Sequence, residues 1–172
     1  SSNMVATGSV NITGTAGGTA ITGIASNNNF GVSVAAAIIE STGATGAVTL
    51  NGTGGGNALG LGNFGVSING AGIYTGTVRT RGGALTIKGT EGAGTSSSGI
   101  SLAGGTYLGG ALQTGALKLQ ANDIFWGYSG TITLKTDGAM TIEPVVTSFT
   151  ANQIMGTNVV LAGASNSGPS SL

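Results

Sequence analysis

The chain has 172 residues, 35 of them Gly and only 2 Pro, and its five basic and five acidic residues cancel. With 40% apolar residues it lacks the low hydrophobicity and high charge of a disordered polymer, so its glycines serve turns inside an ordered fold. Neutrality removes the electrostatic handle for nucleic acid, and a chain with neither Cys nor His holds no disulfide, Cys/His zinc site, Ser-His-Asp triad or Cys-His dyad.

No apolar run approaches the length of a membrane-spanning helix, and the longest alternating runs lack the aromatic girdles of an outer-membrane barrel. The chain opens on Ser with no signal peptide, which points to a processed secreted protein or a piece of a longer one.

In chain order, the first strand signal is Val10-Asn11-Ile12-Thr13, which runs into Gly14-Thr15-Ala16-Gly17. The same pattern returns as Val48-Thr49-Leu50-Asn51-Gly52-Thr53-Gly54-Gly55 and as Leu85-Thr86-Ile87-Lys88-Gly89-Thr90-Glu91-Gly92. After a loop at Asn27-Asn28-Asn29 a second motif begins, Phe30-Gly31-Val32-Ser33-Val34. It recurs as Phe64-Gly65-Val66-Ser67-Ile68 and Ser98-Gly99-Ile100-Ser101-Leu102. The two motifs alternate. Their leading apolar residues, from Val10 through Leu117 to Ile132, fall 15–22 residues apart, and each motif returns to itself after 34–38.

Self-similarity on this scale marks a solenoid, and alternation with period 2 makes its elements strands. The expected fold is all-β, a parallel β-helix of about 15–22 residues per coil and eight or more coils, roughly 40 Å long at the strand spacing. Its inward residues are Val10, Ile12, Val32, Val34, Val48, Leu50, Val66, Ile68, Leu85, Ile87, Ile100, Leu102, Leu117, Leu119, Ile132 and Leu134. Leu59/Leu61, Ile73, Leu108 and Met140/Ile142 form a second apolar set. Gly at the corners supplies tight turns, and the rarity of charge avoids like-charge ladders between coils. The helix is expected over residues 1–164, with irregular coils from about 140. Pro144 falls at a corner or strand start, and a Ser/Gly/Pro-rich tail or linker covers 165–172.

Ala84-Leu85-Thr86-Ile87-Lys88-Gly89-Thr90-Glu91-Gly92 and Gly130-Thr131-Ile132-Thr133-Leu134-Lys135-Thr136-Asp137-Gly138 resemble the repeats of filamentous-haemagglutinin-type adhesins. These are bacterial exoproteins exported by two-partner secretion or as autotransporter passengers. The resemblance spans roughly residues 8–162. It implies a right-handed β-helix, a secreted or cell-surface location, and a role as an adhesin repeat region or a filament subunit. No receptor-binding residue of that family transfers to this chain.

Among candidate sites, Phe125, Trp126 and Tyr128 gather the only Trp with a Phe and a Tyr, a surface for glycans or partners if exposed and a cap if buried. Asp123 and Asp137 are the only acids spaced to stack on one face, as a glycosidase pair would require. Gly54-Gly55-Gly56-Asn57 has the glycines of a calcium-binding repeat without its Asp. Thr13/Thr15, Thr75/Thr77 and Thr131/Thr133 do not recur on every coil, as an ice-binding ladder would. Asn11 and Asn51 match glycosylation sequons on outward strand positions. The expectation is therefore a structural protein with no catalytic or metal residues and no cofactor. It stacks end to end with itself or with flanking repeats, with surface glycans as the alternative partner.

Overall fold

A computed structural model describes residues 2–18, 23–127, 129–150 and 159–162. Among the described residues every named element is a strand. A first coil carries β1 (Asn3–Ala6), β2 (Val10–Thr15) and β3 (Val32–Ala35); a second, β4 (Ile38–Ser41), β5 (Val48–Thr53) and β6 (Val66–Asn69); a third, β7 (Gly76–Thr80), β8 (Leu85–Thr90) and β9 (Ile100–Leu102). The fourth has β10 (Thr106–Gly109), β11 (Leu117–Gln120) and β12 (Ile124–Trp126). β13 (Ile132–Lys135) and β14 (Met140–Glu143) belong to the fifth, and β15 (Val159–Ala162) lies beyond them.

Like strands of successive coils pair in parallel, giving three sheets: β1-β4-β7-β10-β13-β15, β2-β5-β8-β11-β14 and β3-β6-β9-β12. This is a three-faced parallel β-helix.

The register corrects the expected coil. On the second sheet Val10 pairs with Val48, Val48 with Leu85, Leu85 with Leu117 and Leu117 with Met140. On the third sheet Val32 pairs with Val66, Val66 with Ile100 and Ile100 with Ile124. One coil therefore holds both motifs, and the 15–22-residue spacing is mostly the step from one face to the next. The described residues carry about five coils rather than eight, so the stack rises roughly 24 Å instead of 40 Å.

Alternation is what fills the interior. Leu50, Ile68, Leu85, Ile87, Ile100, Leu102, Leu117, Leu119, Ile132 and Leu134 are fully buried, and Ile12 packs at the margin of the same core. The second apolar set divides. Leu108 is buried and Met140 and Ile142 pack on the core, whereas Leu59, Leu61 and Ile73 are exposed in loops. The first sheet contributes Ile39, Val78 and Leu108, and beside them a column of buried hydroxyls. Ser41 Oγ donates to Gly8 O at 2.8 Å, Thr80 Oγ1 to Gly83 O, and Thr136 Oγ1 to Gly115 O at 2.7 Å, each closing a corner carbonyl.

The Gly-Thr motif has a job beyond bending the chain. A Cβ at Gly14, Gly52 or Gly89 would lie 1.9, 2.0 or 1.8 Å from the carbonyl oxygen of Gly31, Gly65 or Gly99 respectively. The ends of β2, β5 and β8 thus pack backbone to backbone on the starts of β3, β6 and β9, a contact only Gly permits.

Between them the chain makes an excursion that shortens from residues 16–31 to 54–65, 91–99 and 121–123 in successive coils. Asn63 fastens the larger excursions together. Its Nδ2 donates to Ser26 O and Ala93 O at 3.0 and 2.6 Å, and its Oδ1 accepts from Asn29 N and Nδ2, both at 3.0 Å.

Pro144 immediately follows β14, at a corner, and Val145-Val146 form no strand. Residues 165–172 lie outside the described residues.

Candidate functional site

The three aromatic candidates part company. Alternation along β12 points Ile124 and Trp126 inward and Phe125 outward. Trp126 is 5% exposed and belongs to the core, so its indole presents no surface to a ligand, while Phe125 is 38% exposed. Tyr128 lies outside the described residues.

Phe125 has company that the sequence did not advertise. Its ring stacks on Phe64 with centroids 6.3 Å apart, and Phe64 stacks on Phe30 at 5.7 Å, with interplanar angles of 8° and 12°. The first two rings come from the Phe-Gly-Val-Ser motif, so the repeat itself builds a strip of near-parallel rings along the third face. Offset-stacked rings of this kind stabilise one another and leave an outer edge for apolar contact.

A second feature lies on the first face. Glu40, Arg79, Arg81 and Tyr107 line an open cleft of about 430 Å³, closed on one side by Gly110, Ala111 and Leu112. Glu40 and Arg79 are in register on β4 and β7, and Arg79 Nη2 donates to Glu40 Oε2 at 2.7 Å. Across from the cleft's corner, Gln113 is fully buried and its Oε1 accepts from Thr80 N at 3.4 Å.

The other ion pair stands on the second face, where Lys118 Nζ meets Glu143 Oε1 at 2.7 Å. The hydrogen bond from Lys118 holds the Glu143 carboxyl below its ordinary value against the opposing effect of desolvation, with smaller help from a Gln120 hydrogen bond and the Lys118 charge.

Asp123 and Asp137 occupy different corners. Asp123 stands between β11 and β12 and accepts from Ser98 Oγ at 2.9 Å, whereas Asp137 stands between β13 and β14, its amide donating to Gln113 O. The coil is longer than one motif, so their 14-residue spacing carries them around the helix and not up it. Among the described residues, no three acidic side chains come together. Thr13 is in register with Asn51 and Asn51 with Lys88, whereas Thr15, Thr53 and Thr90 of the Gly-Thr motif fall in register on three successive rungs.

Among the described residues, no helix is long and apolar enough to cross a membrane. No family model matches the chain, and neither a curated protein nor a solved structure matches it.

Proposed function

We propose that this chain is a structural segment of an extracellular β-helical rod, extended by stacking one coil end upon the next. The observation that carries the reading is the state of the first sheet's apolar column at its two ends. Met4, Ile39, Val78, Leu108, Leu134 and Leu161 follow one another in register on the inward side of the first sheet. Ile39 is 8% exposed and the next three are fully buried, but Met4 is 50% and Leu161 37% exposed. An apolar column that is dry in the middle and open at each end fits a further coil, from another copy or from a continuing chain.

Strand edges support the same reading. β1, β2 and β3 each lie at the edge of their sheet at one end, and an unpaired edge templates addition of another strand. The resemblance of residues 84–92 and 130–138 to adhesin repeats is what supports an extracellular setting for such a rod.

Met4→Lys tests the stacking. A charge at the open end leaves the half-exposed site folded but opposes burial of that end against a second coil. Sedimentation of the purified chain is expected to show concentration-dependent assembly that Met4→Lys reduces at least tenfold in apparent affinity. Assembly unaltered by the substitution sinks the stacking reading.

The strip Phe30–Phe64–Phe125 favours a second reading, a module that recognises glycans or a surface receptor through the third face. Phe125→Ala tests it, since Phe125 is outward; truncating Trp126 empties the core instead. Retention of glycan-array signal by Phe125→Ala rules out this face as the binding surface.

A further inference from the structure

The cleft on the first face is a place where the outer ladder is deliberately interrupted. Going up that face, the outward positions of one column are Glu40, Arg79 and then Gly109, which pairs with Lys135 on the far side. Gly109 has φ +82°, and a Cβ there would lie 1.9 Å from Lys135 O, so the position excludes a side chain on two grounds. The chain then swings out through Gly110, Ala111 and Leu112 before returning to β11, and this arch walls the cleft. The volume, about 430 Å³, is that of a small-ligand site.

The charges are placed unevenly for so neutral a chain. Arg79 and Arg81, two of the five basic residues, line the cleft with one acid, Glu40. Glu40 occupies one Nη of Arg79, while Arg79 Nε is buried without a partner. Arg81 is exposed and has no acidic partner among the described residues. Tyr107, in register with Thr77 and Thr133, brings a ring and a hydroxyl to the same space, and Leu112 adds an exposed apolar side chain.

The geometry points to a binding site for a carboxylate-bearing sugar, a uronate residue of an acidic polysaccharide. Arg81 has the planar donor fork that matches a carboxylate, and Arg79, held by Glu40, adds positive charge beside it. Tyr107 and Leu112 offer the apolar surface on which the C–H face of a pyranose packs, and the tyrosine hydroxyl meets a ring hydroxyl. Glu40 orients Arg79 and accepts from sugar hydroxyls at the rim. The cleft opens to solvent, which lets one residue of a polymer be seated from outside. This site stands on a different face from the phenylalanine strip and does not depend on end-to-end stacking.

Calorimetric titration with a galacturonic acid trimer, set against galactotriose and a glutamate tripeptide, decides the matter. The wild-type chain is expected to bind the uronate trimer, weakening as salt screens the arginine contacts. Galactotriose and the peptide are expected to bind at least tenfold more weakly. Arg81→Gln and Tyr107→Ala each raise Kd for the uronate at least tenfold while the melting curve stays within a few degrees of wild type. Binding that survives Arg81→Gln overturns the proposal, as does no binding at millimolar trimer. Equal affinity for the glutamate peptide overturns the sugar specificity and leaves an acidic-peptide cleft.

Discussion

Single residues carry two kinds of constraint here, one of volume and one of approach. Leu50 sits between Ile12 and Ile87 in the second-sheet column and is fully buried. Leu50→Ala is expected to cost about 2–5 kcal/mol, from lost transfer energy and the cavity left in a stack that cannot collapse around it. Gly52 is constrained differently. Its missing Cβ is what lets the β5 end touch Gly65, and Gly52→Ala is expected to cost about 3 kcal/mol or more, because the obstacle is backbone. Chemical denaturation measures both, and a Gly52→Ala chain as stable as wild type contradicts the close-packed corner. The inward aliphatics were legible from the sequence because Val-x-Ile alternates cleanly with polar residues. The reason for the glycine was not, since the steric partner of each such glycine lies 10–17 residues away on another face.

At the scale of elements, two sheets could be read and one could not. Val10–Thr15 and Val32–Ala35 and their repeats announce themselves by apolar alternation. The first sheet hides because its inward positions include Ser41, Thr80, Thr106 and Gly76 beside its aliphatics. Those hydroxyls are buried at little cost because each closes a backbone carbonyl, a pairing that composition does not reveal.

Asn63 is the corresponding device in the loops. Asn63→Ala strands Asn29 N and the Ser26 and Ala93 carbonyls, and is expected to destabilise the chain by about 3 kcal/mol. Faster amide exchange confined to the excursions at 23–31, 54–65 and 91–99 is the accompanying sign.

The second face supplies a pH dependence. Glu143 has its carboxyl lowered in the folded chain, so its pairing with Lys118 stabilises above the ordinary value of 4.5 and is lost as pH falls through the lower folded value. The melting temperatures of wild type and Glu143→Gln are expected to differ most at neutral pH and to converge below pH 4.5. Both groups are over a third exposed or close to it, so the difference is small and salt-sensitive. A gap that stays constant down to acid pH contradicts the pairing.

For the whole molecule, the fold class was legible and the coil was not. A step of 15–22 residues matches a small coil, yet three faces divide a longer one into steps of similar size. What separates the two is like-on-like stacking: the 34-residue return of Gly-Val-Ser and the 37–38-residue return of Gly-Thr are the true period. The aromatic candidates were legible only as a cluster. Strand parity sent Trp126 inward, and the partners of Phe125 came from residues 61 and 95 positions earlier, which no local reading connects. The cleft at Arg79 and Arg81 escaped notice because its residues are spread over three coils.

With about five coils and a first-sheet apolar column exposed at both ends, the central claim concerns continuity from one unit to the next. Cryo-electron microscopy of the purified chain at rising concentration tests it most directly. The predicted result is a filament one β-helix wide, with an axial repeat of about 4.8 Å running unbroken through the junctions. Single particles roughly 24 Å long at every concentration, with no axial repeat beyond one unit, contradict it.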